Sequence, residues 1–323
     1  MDFLAELGEL ALEFAQRAGE VDRSSTPPSE HLQQLADLGY FRFVTDASPG
    51  RRRRALDLLS SGCGVTAFLA TQHEGVCRRL YQAEHSDLQP AQSGEVWIGV
   101  CFAHLRRDPS PVVALEKRDH LTYSGHGPWF TGHGVMEKVL VGGATPEGRF
   151  LMGLADLKSP EITVSELPPL AVMEATATVA LDFNALAVPK SELLVNITPQ
   201  ELAEKDMHST VYQGGRSLGA ARAAARFLPE EAQKSVLHAL EDLHLRMDRW
   251  DSNPSWESAS ELRKLCLDLA GNSLGAAFMA VGGKAHLLTH PLHRIAREAW
   301  FYSTTQLTRQ LKNTVIAGLQ AKK

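Results

Sequence analysis

The sequence has 323 residues and a mass of 35.3 kDa, which allows one large domain or two to three smaller ones. Hydrophobic residues make up 44% and charged residues 22%, ordinary values that exclude wholesale disorder. The net charge of -5 disfavours a nucleic-acid-binding protein, which would normally carry a basic domain.

The cysteines and the N-terminus indicate a cytoplasmic protein. Four cysteines, Cys63, Cys77, Cys101 and Cys266, form no CxxC pair, so we expect reduced, buried thiols and no zinc–thiolate site. The first residues are acidic where a secretory signal peptide needs a basic stretch. No apolar run approaches the roughly 18–20 residues of a membrane span, so we expect no membrane segment.

Helical patterns fill the chain from residue 3 to about residue 90. The first helix has an apolar face made of Leu4, Leu7, Leu10, Ala11, Phe14 and Ala18. A second helix is expected to be capped by Thr26, to have Pro27 in its first turn and to end at Gly39. Two further helices are predicted over residues 53–59 and 65–82.

From about residue 95 to 195 the pattern changes to short β-rich segments. Gly, Pro, Asp and Asn separate these segments at intervals typical of a β-sandwich or barrel. The predicted strands cover residues 96–101, 112–116, 120–123, 138–141, 150–155, 163–166 and 178–183.

From about residue 200 the chain is helical again. Helices are predicted over residues 201–228, 230–250 and 292–319, and the most regular pattern runs from Leu262 to Val281 and ends at Gly282-Gly283. We expect that regular helix to be a core helix of a bundle. The chain therefore divides into a helical domain over 1–93, a β domain over 94–198 and a helix bundle over 199–323.

Three local motifs admit two interpretations each. The glycine-rich residues 125–127 and 132–134 are interpreted as turns rather than a phosphate cradle, because they open no helix. His286, His290 and His293 have helical spacing, but Pro291 interrupts the helix, so we predict a polar loop and no metal site. The four arginines at 51–54 form either a solvated helix start or a binding surface for a phosphate or an acidic partner.

Trp129-Phe130-Thr131 is the aromatic motif of the β region. It is either a buried strand or a flank for a planar cofactor, with the ring stacking and the hydroxyl hydrogen-bonding.

Five segments taken in order resemble the acyl-CoA dehydrogenase superfamily. They are residues 32–44, 121–159, 175–194, 217–227 and 290–308, which span nearly the whole chain. The resemblance implies an α+β multidomain fold: an N-terminal helical domain, a middle β-barrel or sandwich domain and a C-terminal helix bundle. It also implies FAD, an acyl-CoA or similar substrate, a homodimer or homotetramer, and an electron-transfer or reductase partner.

The resemblance also assigns site residues. The flavin-binding positions correspond to Trp129, Phe130, Thr131, Gly282, Gly283 and Thr308. Gln306 occupies the position of the family's catalytic Glu, and a neutral amide has no accessible basic pKa with which to take up a proton. The stretch 208–218 contains no Glu that could replace it, so His208 and Glu204 are the nearest alternative catalytic candidates.

Other departures weaken the match at the flavin. Residues 102–112 replace the family's T-E-P-x-x-G-S-D loop, no R-x-x-F-G follows Ala225, and Met279 stands where the family has Gln. Three functions stay open: a flavin-dependent oxidoreductase, a reduced-flavin-dependent monooxygenase that uses His286, His290 or His293, and a non-catalytic binding protein on the same fold.

Overall fold

A computed structural model describes residues 2–320. Six helices come first in the described chain. They are α1 (Phe3–Asp22), α2 (Ser29–Asp37), α3 (Tyr40–Asp46), α4 (Pro49–Gly62), α5 (Gly64–Gln82) and α6 (Leu88–Ser93).

Helix α1 packs on α4 at very short range. Its buried face is Leu7, Ala11, Phe14 and Ala18, which recur at the helical period and confirm the predicted stripe. A Cβ added at Gly62, the last residue of α4, would lie 2.3 Å from the carbonyl oxygen of Ala11. Only glycine therefore permits this helix contact.

Two predicted helix starts are wrong. Helix α2 begins at Ser29 with Pro28 before it, because the two consecutive prolines hold the chain extended there, and neither Thr26 nor Pro27 caps it. Helix α4 begins at Pro49, well before residue 53, since the Ser48 side chain accepts a hydrogen bond from the Arg51 amide and caps the first turn. The predicted stop at Gly39 is confirmed by its φ of 82°.

Eight strands form one sheet in the middle of the chain. They are β1 (Ile98–Cys101), β2 (Val112–Glu116), β3 (His120–Phe130), β4 (Lys138–Ala144), β5 (Phe150–Asp156), β6 (Ile162–Ser165), β7 (Val179–Pro189) and β8 (Leu193–Ile197). The order is β6-β7-β3-β2-β4-β5-β8, and β1 pairs with β4 off this path. Strand β4 pairs in parallel with β1 and β2, and the other pairings are antiparallel.

The sequence predicted seven of these strands and missed β8. It also interpreted residues 125–127 as a turn, which is wrong because they lie inside β3. A Cβ at Gly125 would lie 2.0 Å from the Pro111 carbonyl oxygen, and one at Gly127 would lie 2.5 Å from the Cys101 sulfur. These glycines allow close packing within the sheet, so they did not signal a chain reversal.

Six helices complete the described chain. They are α7 (Pro199–Tyr212), α8 (Gly214–Ala225), α9 (Glu230–Trp250), α10 (Trp256–Val281), α11 (Pro291–Thr304) and α12 (Arg309–Gln320). The bounds predicted for α9 are confirmed. The single helices predicted over 201–228 and 292–319 each divide in two, at Gln213 and at residues 305–308.

Helix α10 is the most apolar long segment of the described chain. Together with the turn that follows it, Trp256–His286 has the length of a membrane span, and its most apolar 18-residue window has a mean hydropathy of 1.4. Core helices meet the same two criteria, so this finding does not overturn the expectation from the sequence. In the fold α10 packs against α7, α8, α9 and α12. All four cysteines are buried and unbridged, as predicted.

Candidate functional site

A cavity of about 510 Å³ lies where the N-terminal helices, the sheet and the C-terminal helices meet. Helices α4, α5, α7 and α8 supply most of its wall. Strands β1, β3, β5 and β8 and the connecting segments that contain Arg106, Asp251 and Gln306 supply the rest. Its volume falls within the roughly 300–1,000 Å³ typical of small-molecule and cofactor sites. Seven arginine and lysine side chains line it against three carboxylates, although the whole chain is acidic.

Two of the three carboxylates are engaged by arginine. Asp206 accepts bidentate hydrogen bonds of 2.6 and 2.7 Å from Arg106, and a third of 2.9 Å from the Gln306 side-chain amide. Asp251 accepts bonds of 2.7 and 3.0 Å from Arg53. Bidentate pairs of this kind are strong and fix both partners in place.

Glu74 on α5 is the third carboxylate, and tyrosines hold it instead. The Tyr212 hydroxyl donates to Glu74 at 2.7 and 2.8 Å, and the Tyr40 hydroxyl donates at 3.3 Å. Burial raises the pKa of Glu74 above its usual range, and the Tyr212 hydrogen bond with the charges of Arg78 and Arg52 offsets only part of that shift. Burial and the nearby Glu74 also raise the tyrosine pKa values, so both hydroxyls keep their protons and donate.

Glu74 was missed in the sequence, although a signal was present. It lies on the buried face of α5 between Ala70 and Cys77, where an acid is unusual. A buried, ionisable group in a cleft is a functional-site candidate, because burial shifts its pKa toward that of a proton acceptor working near neutral pH.

Comparison of the whole fold with known structures identifies its class. Butyryl-CoA dehydrogenase from Megasphaera elsdenii superposes with a TM-score of 0.80 over 100% of this chain and 99% of its own, at 15% identity. Glutaryl-CoA dehydrogenase from Mycobacterium smegmatis, in complex with FADH2, gives 0.78 over 100% and 95%, at 14% identity. The chain has the acyl-CoA dehydrogenase fold. This confirms the fold class predicted from the sequence.

A third similar structure shows the same fold in another biosynthetic setting. FkbI, described for biosynthesis of the methoxymalonyl extender unit of the Fk520 polyketide immunosuppressant, gives a TM-score of 0.79 over 100% of both chains, at 14% identity. No family model and no curated protein matches the sequence. The acyl-CoA dehydrogenase fold is therefore carried here by a sequence that has diverged at most positions.

Three of the predicted site residues of the acyl-CoA dehydrogenase-like chain line the cavity. Trp129 stands at the end of β3 with its side chain half exposed and a φ of 63°, an unusual conformation for a bulky residue. His208 reaches the wall from α7, with its ring 5.2 Å from that of Trp250. Gln306 reaches it from the break between α11 and α12, and it also has a positive φ of 54°.

The other predicted residues do not line the cavity. Phe130 is fully buried in the core, and the Thr131 hydroxyl is buried against that of Thr178 at 3.1 Å. Glu204 is exposed on α7, and Gly282 and Gly283 are exposed after α10. The Thr308 hydroxyl accepts from the Leu311 amide at 3.2 Å in the first turn of α12.

The three histidines after α10 also lie away from the cavity wall. His286 packs its ring on Phe278, and His290 caps α11 by accepting from the Leu292 amide at 3.2 Å. Residues 2–320 contain no group of three or more His, Cys, Asp or Glu side chains placed to hold a metal.

The cavity wall fits a flavin. Trp129 offers an aromatic face at one side, and Gln213 offers a buried side-chain oxygen that has no donor among the described residues. An isoalloxazine ring needs both an apolar surface to lie on and polar partners for its edge. Trp129 and Gln213 would therefore hold such a ring.

Proposed function

We propose that this protein is a flavin-dependent oxidoreductase that acts on an acyl-CoA or a similar acyl thioester. One observation carries the proposal: a buried carboxylate held by tyrosines, Glu74, shares a cavity with the half-exposed indole of Trp129 in the acyl-CoA dehydrogenase fold. The butyryl- and glutaryl-CoA dehydrogenases that share this fold are named for acyl-CoA substrates, so the same substrate class is the first to test.

Glu74 is the proton acceptor in this proposal. The reaction removes a proton from the α-carbon of the thioester and a hydride from its β-carbon. A bound flavin supplies the hydride acceptor. Glu74 can take the proton because no arginine engages it in a close ion pair, whereas Arg106 and Arg53 hold the other two carboxylates.

The tyrosines and Gln306 have supporting roles. Tyr212 and Tyr40 hold the Glu74 carboxylate in one orientation through hydroxyls that keep their protons. Gln306 cannot accept the proton, and its amide instead donates to Asp206, which fixes the end of α11 against α7. In this proposal the catalytic carboxylate comes from α5, and Gln306, at the position of the family's catalytic Glu, has a structural role.

The visible absorption spectrum of the purified protein tests the proposal. A bound oxidised flavin absorbs near ~450 nm. We expect this band as purified or after addition of FAD, and we expect its loss in Trp129→Ala. Tyr81→Ala is the matched control, because Tyr81 is an equally exposed aromatic residue on α5 that does not line the cavity. Anaerobic bleaching of the band by an acyl-CoA would then establish the oxidoreductase reaction.

Two results would contradict the proposal. A protein that stays colourless with FAD, and also with reduced flavin and a reductase, would exclude flavin chemistry in this cavity. A flavin band retained in Trp129→Ala would show that the ring binds elsewhere.

We further propose that the protein is a homodimer or homotetramer that passes electrons to a separate protein partner. The support for self-association is an apolar surface at the end of α10, in the segment that joins it to α11 and on α11, where Met279, Leu288 and Trp300 are 77–82% exposed. Gly271 and Gly275 leave the neighbouring face of α10 open, with no atom within 4 Å of an added Cβ. Analytical ultracentrifugation should therefore give a molecular mass that is a multiple of 35.3 kDa, and Trp300→Glu should lower that mass.

We also propose a cytoplasmic location. The support is chemical: four unbridged, buried thiols suit a reducing compartment.

A further inference from the structure

The four arginine side chains at 51–54 lie in different surroundings. Successive residues of a helix point about 100° apart, so neighbours in sequence face different parts of the protein. Carboxylates of the chain neutralise three of the four: Arg51 pairs with Asp2, Arg53 with Asp248 and Asp251, and Arg54 with Asp248 and Glu241.

Arg52 is the fourth member of the run, and it faces the cavity. It donates no hydrogen bond to any residue between 2 and 320, and its Nε atom is buried without an acceptor. Burial and the neighbouring charge of Arg78 lower its pKa, while Glu74 acts in the opposite direction. Arginine nevertheless stays charged in proteins, so Arg52 brings an uncompensated cation to this wall.

Two more arginines join Arg52 there. Arg78 lies one helical turn after Glu74 and, within the described chain, also has no hydrogen-bond acceptor. Arg216 is 2% exposed, and its guanidinium donates to the Thr71 hydroxyl and lies over the Phe68 ring at 4.7 Å, with no carboxylate paired to it in residues 2–320. Glu74 alone cannot balance three guanidinium groups.

A buried cation without a counter-charge is costly, and Arg216 is such a cation, with the half-buried Arg52 and Arg78 beside it. An anion that enters the cavity would balance this charge. Guanidinium groups match the planar, bidentate geometry of a carboxylate. The position of these arginines relative to Glu74 indicates which part of the ligand carries the negative charge. Arg78 is four residues from Glu74, and a proton acceptor must contact the acyl carbons, so the anion belongs to the acyl end of the ligand.

We infer that the cavity selects a substrate whose acyl group carries a carboxylate of its own, bound by Arg52 and Arg78 with Arg216 behind them. This inference rests on the proposed function for the thioester part of the ligand. The class of substrate is therefore a dicarboxylic acid joined through one carboxyl group to a thiol carrier.

The test is binding of matched thioester pairs to the purified protein by calorimetry. Succinyl- and glutaryl-CoA, which both carry hydrogen at the β-carbon, are compared with butyryl- and pentanoyl-CoA, which have the same chain lengths and no terminal charge. We expect at least one charged member to bind about 10- to 100-fold more tightly than its match, the range given by charge-assisted hydrogen bonds. Arg52→Met and Arg78→Met should remove that preference, and Arg51→Met, on the same helix but paired with Asp2, should keep it.

Several outcomes separate this inference from the proposed function. Equal affinity within every pair would overturn it. Equal weakening of free CoA and of both thioesters in Arg52→Met would also overturn it, because the arginines would then serve the nucleotide phosphates. Binding of free succinate or glutarate that depends on Arg52, without any thioester binding, would keep the carboxylate site and refute the thioester function. Should Arg52→Met fail to fold, Arg52→Lys retains the charge and is expected to lose most of the preference with the bidentate geometry.

Discussion

Helix α4 contributes to two clusters of charged side chains, one around Asp57 and one around Arg52, and they differ in how their charges are balanced. In the first, Asp57 is 1% exposed and accepts 2.7 and 3.0 Å bonds from Arg222 on α8 and a 3.1 Å bond from His244 on α9. In the second, Arg52 faces the cavity five residues earlier with no acceptor in the described chain.

The difference separates structure from binding. A cluster whose positive and negative groups both come from the chain is complete in the free protein, so it fixes how α4, α8 and α9 pack. The cavity cluster has three guanidinium groups without a paired carboxylate and only Glu74 facing them, so its charge is unbalanced until a ligand enters. We therefore expect changes in the Asp57 cluster to alter the free energy of unfolding, and changes in the cavity to alter ligand binding and turnover.

The largest expected effect is on turnover, from Glu74→Gln in the cavity. The amide keeps the shape of the side chain and can still accept the Tyr212 hydrogen bond, but it cannot take up a proton. We expect the rate of flavin reduction by the substrate to fall about 10²- to 10⁴-fold, the usual contribution of a general base, with little change in stability. Stopped-flow absorbance measures this rate.

The pH profile provides the second readout for Glu74. Its pKa lies above the ordinary value for Glu, so the reduction rate should rise with pH through that raised pKa as the carboxyl ionises. The groups that face it are Tyr40, Tyr212, Arg52 and Arg78. A rate that is unchanged in Glu74→Gln would show that another residue is the base.

The next largest effect is on stability, from Asp57→Asn. This change removes the buried charge that Arg222, whose side chain is 27% exposed, and His244 both contact. Breaking a fully buried pair typically costs about 3–5 kcal/mol in the free energy of unfolding, and we expect a loss toward the lower end of that range. Urea denaturation measures it. The control is Asp242→Asn on α9, which alters a half-exposed pair with Arg246 at 4.0 Å and should cost under about 1 kcal/mol. Equal losses of unfolding free energy in the two variants would refute the distinction between the buried Asp57 cluster and an exposed ion pair.

Acid sensitivity should follow from the same cluster. Burial alone would raise the pKa of Asp57, but Arg222 and His244 hold it below its usual range. The unfolded chain then binds the proton more readily, so the contribution of Asp57 to stability is full above about pH 4 and declines as the pH falls further. The slope of unfolding free energy against pH in this range should be smaller in Asp57→Asn.

The smallest effect is expected at the solvent end of the arginine run. Arg51 pairs with Asp2 at 2.9 Å with both side chains at least half exposed, and it lies 5.2 Å from the Phe43 ring. Exposed pairs typically contribute about 0–1 kcal/mol, so Arg51→Ala should change the urea midpoint only slightly. A large loss of stability in Arg51→Ala would mean that solvent exposure does not predict which of the arginines at 51–54 contribute to stability.

The sequence predicted the helix with strong local signals at both ends and missed the break that divides a long helical pattern. The bounds of α9 were predictable because Pro229 fixes its start and its apolar face is regular. The break at Gln213 was missed although Gly214 and Gly215, which follow it, are poor helix formers. Gly215 also serves a tertiary contact that the sequence does not show, since a Cβ there would lie 2.8 Å from the Arg53 carbonyl oxygen.

The site was predictable only in part, for a similar reason. Trp129 and Gln306 were found because they match positions in a known family, and both line the cavity. Glu74 matched no such position, and its pairing with Tyr212 joins residues 138 apart in the chain. Arg52 could not be distinguished from the arginines beside it, because only the packing of α7, α8 and α9 around α4 decides which of them lacks a counter-ion.

The exposed indole of Trp129 gives the molecule an optical signal of its own. The chain has five tryptophans, and Trp129 is the one that lines the cavity in the described part of the chain. Fluorescence from an indole depends on its immediate surroundings, and a flavin placed against it would accept its excitation energy. Occupancy of the cavity is therefore readable from the emission of the unlabelled protein, with Trp129→Phe as the blank.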